Sequence, residues 1–169
     1  MKSFLALFIL LAIVNNAHSD MFSQDKEKMI GHWKCIATPK NPKDKIVFRD
    51  GILNLNKNGD IQFKKTFTLH SELKYSWTYK GKYSIGEQNY KGFHLDYTAR
   101  IIDVTTEHNR PNKLPNDYIS SIDSIMTKTP SDEVSAFLFI KKANDGELEF
   151  ITAETLDIVN QWNCKRISK

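Results

Sequence analysis

The sequence has few of the residues that usually build catalytic or metal centres. It contains two cysteines and five histidines in 169 residues. The two cysteines do not form the close pair that zinc sites typically use. There is no glycine-rich phosphate loop, no G-x-S-x-G elbow and no H-E-x-x-H pair. We therefore expect a protein that is not an enzyme and that holds no cofactor and no metal.

The chain also lacks a strong excess of either charge. Lysine and arginine number 24 against 20 aspartates and glutamates, and both signs are scattered along the whole chain. Nucleic-acid binding usually requires a concentrated basic stripe, because the phosphate backbone dominates the affinity. The composition predicts a mixed, solubilising surface and no nucleic-acid partner.

Long apolar runs are missing apart from one at the N-terminus. Lys2 precedes an apolar run from Phe4 to Val14, and a short polar region then ends in Ala17-His18-Ser19. This is the pattern of a secretory signal peptide, and the run covers about half of the roughly 20 residues that a spanning helix needs. We predict a signal peptide over residues 1–19, a single domain over residues 20–169, no integral membrane segment after cleavage, and a secreted or periplasmic location.

Two cysteines in an exported chain favour one disulfide between Cys35 and Cys164. Closing a loop of that length contributes about 4 kcal/mol in the chain-entropy model. Metal binding lacks the usual ligand spacing, and a catalytic thiol is the third alternative.

Alternation of apolar and polar residues is the dominant pattern of the mature chain. In Ile61–Leu69 the odd positions are apolar except for Lys65, and the even positions are polar. The same alternation continues in Lys74–Tyr79, Lys82–Ile85 and Phe93–Ile101. A period of two indicates strands with one buried face, and the aromatics suit a pleated surface that faces a core.

Turn signals separate these runs and predict antiparallel neighbours. Asn58-Gly59-Asp60, Gly86-Glu87-Gln88-Asn89 and Asn144-Asp145-Gly146 each combine residues that adopt positive φ at low cost. We expect eight strands if the runs at 74–79 and 81–86 form one strand bent at Gly81. The predicted runs lie near 31–38, 45–56, 60–69, 74–79, 81–86, 92–105, 135–142, 147–152 and 157–167.

A polar insertion over residues 107–133 interrupts the strands. Asn116 is a candidate N-cap of a short helix that presents isoleucines at helical spacing, namely Ile119 and Ile122 followed by Ile125 or Met126. An insertion of this length is either a lid or binding loop, or a surface excursion that covers one barrel end. A second short helix is expected over Met21–Met29.

The two ends of the mature chain carry matching pairs of residues. Trp33 lies two positions before Cys35, and Arg166 lies two positions after Cys164. If the first and last strands pair in antiparallel fashion with the cysteines opposite each other, Trp33 must face Arg166. Pairing of first with last closes a barrel, and stacking of Arg166 on Trp33 would contribute about 0.5 to 2 kcal/mol.

Gly31-His32-Trp33 at the start of the first strand, with Arg166 on the last, resembles the lipocalins and the wider calycin group. The resemblance implies an eight-stranded antiparallel up-and-down barrel in which Gly31, Trp33 and Arg166 close one end. The sequence departs from the lipocalin pattern in two respects. Lys34 occupies a position that is usually aromatic, and no long helix follows late in the sequence. A simple bacterial lipocalin-like domain is therefore a closer match than a typical animal lipocalin.

The inward positions of the predicted strands are the candidate ligand-binding interior. Eight-stranded barrels either fill their interior with side chains or leave room for one small apolar ligand, which tyrosine hydroxyls and Lys65 would orient. The candidate residues are Phe63, Lys65, Phe67, Tyr75, Trp77, Tyr79, Tyr83, Phe93, Tyr97 and Phe150.

Two functions fit this sequence. The first is an exported barrel that binds or carries a small hydrophobic ligand. The alternative is a non-enzymatic interaction protein, such as a secreted or periplasmic inhibitor or immunity-type factor, that contacts a protein partner through residues 107–133.

Overall fold

A computed structural model describes residues 26–39, 46–69, 73–88, 92–108, 114–128, 133–154 and 158–168. The predicted signal peptide lies outside these residues, as does the first part of the helix expected over Met21–Met29. Within the described ranges, no helix has the length and apolar content needed to cross a membrane. The elements in chain order are α1 (26–29), β1 (Gly31–Pro39), β2 (Ile46–Leu55), β3 (Asp60–Leu69), β4 (Leu73–Gln88), β5 (Gly92–Thr106), α2 (Asn116–Met126), β6 (Val134–Ala143), β7 (Glu147–Glu154) and β8 (Ile158–Ser168).

The eight strands form a closed barrel in sequence order, and each strand is antiparallel to both neighbours. This confirms the predicted all-β, up-and-down architecture with a short N-terminal helix and a helix in the 107–133 insertion. Because successive strands alternate in direction, α1 and the turn between β6 and β7 lie at one end, which we call the α1 end. The helix between β5 and β6 lies at the opposite end, which we call the α2 end.

The predicted register between the first and last strands is confirmed. Cys35 faces Cys164 and Trp33 faces Arg166 across β1 and β8. The cysteines are joined in a disulfide, with 3.9 Å between their Cα atoms and a sequence separation of 129 residues. A buried disulfide fits an oxidising compartment.

Two turn predictions are confirmed by side-chain contacts that stabilise tight loops. The Asp60 backbone N–H donates to Asn58 Oδ1 at 3.1 Å, and the Gly146 backbone N–H donates to Asn144 Oδ1 at 3.0 Å. These bonds let an asparagine side chain replace part of a backbone turn, which explains why asparagine starts both loops.

The runs at 74–79 and 81–86 form one continuous strand, which confirms the alternative that gives eight strands. Its register irregularity falls between Thr78 and Tyr79 rather than at Gly81. A Cβ at position 81 would lie 1.9 Å from the Thr98 carbonyl oxygen, so glycine here permits the close approach of β5. The expected turn at Gly86-Glu87-Gln88-Asn89 begins later, because the ladder extends to the pair Gln88 and Gly92.

Aromatic rings fill the middle of the barrel. Trp162 contacts Phe63 at 5.2 Å and Phe150 at 6.0 Å between ring centroids, and Phe63 contacts Phe150 at 6.0 Å. Phe48 reaches the same indole at 6.1 Å. Because these rings come from β2, β3, β7 and β8, they join opposite walls of the sheet, and we call these four residues the ring layer.

Candidate ligand site at the α2 end of the barrel

The α1 end is closed by the residues that the sequence singled out. Gly31 has a φ of 143°, a conformation that favours glycine, and it leads into Trp33, which is fully buried. The Trp33 indole N–H donates to the Met29 carbonyl oxygen at 2.8 Å. The Arg166 guanidinium lies 4.1 Å from the centroid of the Trp33 ring, so the predicted stacking is present.

Arg166 also binds three backbone carbonyl groups from two segments of the chain, which the sequence did not predict. Its guanidinium donates to the carbonyl oxygens of Ile30 at 2.7 Å, Asp145 at 2.6 Å and Lys28. Guanidinium groups suit this task because their donors form a planar fork. Contacts between β8, the segment before β1 and the turn between β6 and β7 therefore close this end of the barrel.

At the opposite end, α2 lies over the barrel with a few apolar side chains directed inward. Ile119, Ile122 and Met126 are partly buried against the core, whereas Ile125 is 67% exposed. The open choice between Ile125 and Met126 is therefore resolved in favour of Met126. None of the α2 residues that the structure describes is fully buried, so this helix covers the barrel without being part of its core.

The predicted cap of α2 was wrong by one residue. Asn116 is the first helical residue rather than the N-cap, and Pro115 occupies the cap with an extended conformation. The fixed φ of proline suits the entry to a helix, but a proline side chain cannot accept a hydrogen bond. No side-chain cap bond is formed at this helix start.

Side-chain hydrogen bonds hold α2 in place. Asp123 accepts a hydrogen bond from the Tyr75 hydroxyl at 2.8 Å and lies 2.8 Å from His108 Nε2, while the Trp77 indole N–H donates to the Met126 carbonyl oxygen at 3.2 Å. Burial, reinforced by the hydrogen bond to Asp123, raises the pKa of Tyr75, so its hydroxyl stays protonated and remains a donor. We call these five residues the α2 latch.

The candidate interior residues do not form one site. The structure buries Phe63, Lys65, Phe67, Tyr75, Tyr79, Phe93, Tyr97 and Phe150, and it leaves Trp77 and Tyr83 partly exposed. Phe67, Tyr75 and Trp77 lie at the α2 end, where Phe67 contacts Trp77 at 4.9 Å and Tyr75 at 5.6 Å. Tyr83, Phe93 and Tyr97 lie towards the α1 end. Burial raises the pKa of Tyr83, whose hydroxyl donates to the Asn56 carbonyl oxygen at 2.7 Å.

Lys65 is the exception to the apolar pattern of β3 and lies inside the barrel. Its side chain is 1% exposed, and its Nζ lies 5.0 Å from the ring centroids of Phe63 and Tyr79 and 5.8 Å from that of Phe48. Ring faces attract a cation electrostatically, and more strongly where water is excluded. The interior therefore contains a cationic group next to the ring layer.

Two further polar residues face the interior and were missed in the sequence. The Trp162 indole N–H donates to Thr152 Oγ1 at 3.0 Å, and Thr152 lies opposite Asn160 in the ladder between β7 and β8. Asn160 is 1% exposed, and its Nδ2 has no hydrogen-bond partner among the described residues. Both could have been found from the alternation, since they are in phase with the inward-facing Phe150 and Trp162.

Two open grooves lie on the outside of the sheet. One of about 550 Å³ crosses β4, β5 and β6 beside Lys82, Asp96 and the exposed ring of Phe137. The other, of about 450 Å³, lies beside Ile36 and Lys165. In the part of the chain that the structure describes, no group of three histidine, cysteine or acidic residues could hold a metal ion.

The geometry thus comprises an aromatic interior, a set of buried polar groups and a helix held over one end by a few bonds. Comparison with known proteins adds no relative to this description, since no family model, no curated protein and no solved structure matches the chain.

Proposed function

We propose that the protein is an exported, lipocalin-like barrel that binds a small hydrophobic ligand between α2 and the ring layer. The observation that carries the proposal is the attachment of α2, which has no fully buried residue and is held by the α2 latch. A cover with so little buried surface can open while the barrel strands stay paired. Barrels of eight strands are wide enough for one small ligand.

The walls beneath α2 favour an apolar ligand. Phe67, Tyr75 and Trp77 present stacked and edge-to-face rings there, and removing apolar surface from water contributes roughly 25 cal/mol per Å². A ligand would enter by displacing α2 and separating the rings of Phe67 and Trp77. The ring layer would form the floor of the site.

Two observations support the family resemblance and export. The stacking of Arg166 on Trp33 at the α1 end is the arrangement that the lipocalin resemblance implies. The disulfide between Cys35 and Cys164 fits a secreted or periplasmic protein whose residues 1–19 are removed as a signal peptide.

Export is tested by expressing the full chain and determining the N-terminus and mass of the product. A product in the medium or periplasm that starts after Ser19 supports the proposal. Retention of the full chain inside the cell, with residues 1–19 attached, contradicts it.

Ligand binding is tested by titration with the neutral fluorescent probe N-phenyl-1-naphthylamine and by mass spectrometry of organic extracts of the purified protein. We expect saturable binding that Phe67→Glu or Trp77→Glu abolishes, because either carboxylate would be desolvated by the ligand. The matched control is Phe137→Glu, since Phe137 is 42% exposed on the outside of the barrel. Absence of both a co-purified molecule and saturable binding would exclude the carrier function.

The exposed side of α2 favours a second candidate, a non-enzymatic interaction protein such as a secreted or periplasmic inhibitor or immunity-type factor. Ile125 and Tyr118 are exposed there, 67% and 39% respectively. Substituting both with serine should then weaken capture of a protein partner while leaving probe binding unchanged. Partner capture that is insensitive to both substitutions would rule out this surface.

A further inference from the structure

The larger of the two grooves on the outside of the sheet is formed by two rows of exposed residues, which lie opposite one another on β4, β5 and β6. The groove has a volume of about 550 Å³, which is in the range of ligand sites. The first row is Lys82, Thr98 and Ser135, and the second row is Ser84, Asp96 and Phe137. We call these six residues the outer groove.

Side-chain size explains why a depression forms here. Phe137 stands on β6 beside Phe139, and the two ring centroids are 4.8 Å apart in an edge-to-face arrangement. Such packing is favourable for aromatic pairs and holds the ring of Phe137 in place. The floor beside it carries small side chains, and the hydroxyl oxygens of Thr98 and Ser135 lie 3.4 Å apart there. The outer groove therefore has an aromatic wall and a low floor of hydroxyl groups.

Asp96 provides a carboxylate in the same groove. One of its oxygens lies 3.1 Å from His94 Nε2, and its side chain is 54% exposed. Gly86 leaves room for this imidazole, because a Cβ at that position would lie 2.3 Å from His94 Nε2. Within the described ranges, the structure gives Asp96 no further polar partner. Its other oxygen can therefore accept hydrogen bonds from a ligand.

The charges of the outer groove disfavour an ionic ligand. Lys82 already forms an ion pair with Asp60 at the rim, so Asp96 would repel a bound anion. A small cation would use the Asp96 carboxylate and the Phe137 ring face, but it would leave the hydroxyl floor without partners. Hydroxyl groups both donate and accept, so the floor suits a neutral ligand that carries several hydroxyl groups of its own.

We propose that the outer groove binds a neutral oligosaccharide, with one pyranose ring stacked on Phe137 and its hydroxyl groups bonded to Asp96 and to the floor. A pyranose has an apolar face of C–H groups and a rim of hydroxyl groups, which matches an aromatic wall beside polar side chains. Neighbouring strands lie about 4.8 Å apart, and positions on the same face of a strand repeat after roughly 7 Å. Asp96 and Ser135 are therefore both within reach of a sugar that stacks on Phe137.

This site does not depend on the carrier function. The outer groove faces away from the barrel interior, so a sugar there would contact neither α2 nor the ring layer. The groove is also open at the surface, which allows a chain of sugars to pass through it.

The test is isothermal titration calorimetry of the full mature chain with tetrasaccharides of different charge. The neutral ligands are cellotetraose, maltotetraose and chitotetraose, the cationic ligand is de-N-acetylated chitotetraose, and the anionic ligand is tetragalacturonate. We expect saturable binding of at least one neutral tetrasaccharide, and about tenfold weaker binding of both charged ones.

Variants locate the bound sugar. Phe137→Ala should weaken binding about tenfold because it removes the stacked ring, whereas Phe137→Trp should retain it. Asp96→Asn should weaken binding about fivefold, since an amide oxygen accepts more weakly than a carboxylate. The matched control is Ile36→Ala, because Ile36 is 61% exposed on β1 at the opposite side of the barrel, and this variant should bind sugar like the wild type.

The outcomes are distinct from those of the carrier test. If no neutral tetrasaccharide binds saturably, or if de-N-acetylated chitotetraose binds more tightly than every neutral one, the inference is overturned. It is also overturned if sugar binding survives both Phe137→Ala and Asp96→Asn. Titration with N-phenyl-1-naphthylamine should give the same result for these variants as for the wild type, so loss of the sugar site leaves the carrier function standing. Conversely, Trp77→Glu should lose the probe and keep the sugar.

Discussion

At the scale of single residues, Arg166 connects the last strand to two other parts of the α1 end. It stacks on Trp33 and donates to carbonyl oxygens from α1, from the residue before β1 and from the turn between β6 and β7. Two of these carbonyl groups belong to the N-terminal segment and the third lies more than 100 residues later, at Asp145. A single guanidinium therefore fixes how the N-terminal segment lies on the α1 end.

We expect Arg166→Lys to lower the free energy of unfolding by about 2 kcal/mol, because lysine cannot reproduce the planar fork of donors or the ring stacking. Urea unfolding provides the measurement. The matched control is Arg100→Lys, since Arg100 forms an exposed pair with Glu133 and such pairs contribute about 0 to 1 kcal/mol. Equal losses of unfolding free energy in the two variants would show that the Arg166 contacts stabilise the fold no more than an exposed ion pair does.

Glu147 is a residue-scale determinant of pH dependence. Hydrogen bonds from Lys142 and Lys165 lower its pKa from 4.5 to about 2 in the folded protein. A carboxyl whose pKa is depressed by folding stabilises the native state above its unfolded pKa, and this contribution disappears as the pH falls through the folded pKa. Glu147→Gln should therefore be less stable than the wild type above pH 4.5, and the difference should vanish near pH 2.

The measurement is urea unfolding between pH 2 and pH 6 at low salt for the wild type and Glu147→Gln. Because the group is on the surface, added salt should shrink the difference. A stability difference that is constant across this pH range would contradict the assignment.

At the scale of elements, α2 differs from the strands in how it is held. Each strand is hydrogen-bonded to two neighbouring strands, whereas α2 relies on partly buried apolar residues and on the α2 latch. Elements with few buried contacts open most readily. We therefore expect α2 to open more readily than the strands.

Asp123→Asn should loosen α2, because an amide accepts more weakly than a carboxylate from Tyr75 and His108. We expect amide hydrogen exchange across Asn116–Met126 to become about five- to tenfold faster, corresponding to about 1 kcal/mol. The exchange rates in β1 and β8 should not change. Asp117→Asn, an exposed substitution of the same kind on the same helix, is the control, and equal exchange rates in the two variants would refute the α2 latch.

At the scale of the whole molecule, the disulfide joins the first strand to the last. β1 and β8 are the two strands that must meet for the sheet to close, and the bond links them across 129 residues. Constraining so long a loop in the unfolded chain favours the folded state. Closure in turn leaves no sheet edge between β1 and β8 for another chain to pair with.

Replacing Cys35 and Cys164 together by alanine should lower the free energy of unfolding by about 4 kcal/mol. Urea unfolding with and without reductant checks this, and the double variant should be insensitive to reductant. Both cysteines are buried, so the double variant gives a cleaner measurement than reduction of the wild type. An unfolding midpoint close to that of the wild type would contradict a stabilising role for the bond.

The sequence by itself determined the strands, their order and the alignment of the first with the last. These features depend on local periodicity and on short spacings, such as the two positions between Trp33 and Cys35, which are visible along the chain. The inward position of Lys65 follows from the same alternation. Closure of the barrel then required only that the two ends pair.

Other features were decided only by the tertiary structure. The contacts of Asp123 with Tyr75 and His108 join a helix, strand β4 and the segment that follows β5, and the carbonyl partners of Arg166 are backbone groups that carry no side-chain signal. Lys65 and Trp162 both contact the rings of Phe48 and Phe63. This arrangement depends on how the sheet curves into a barrel. Such contacts depend on the three-dimensional placement of backbone and loops, which a pattern of alternating residues does not specify.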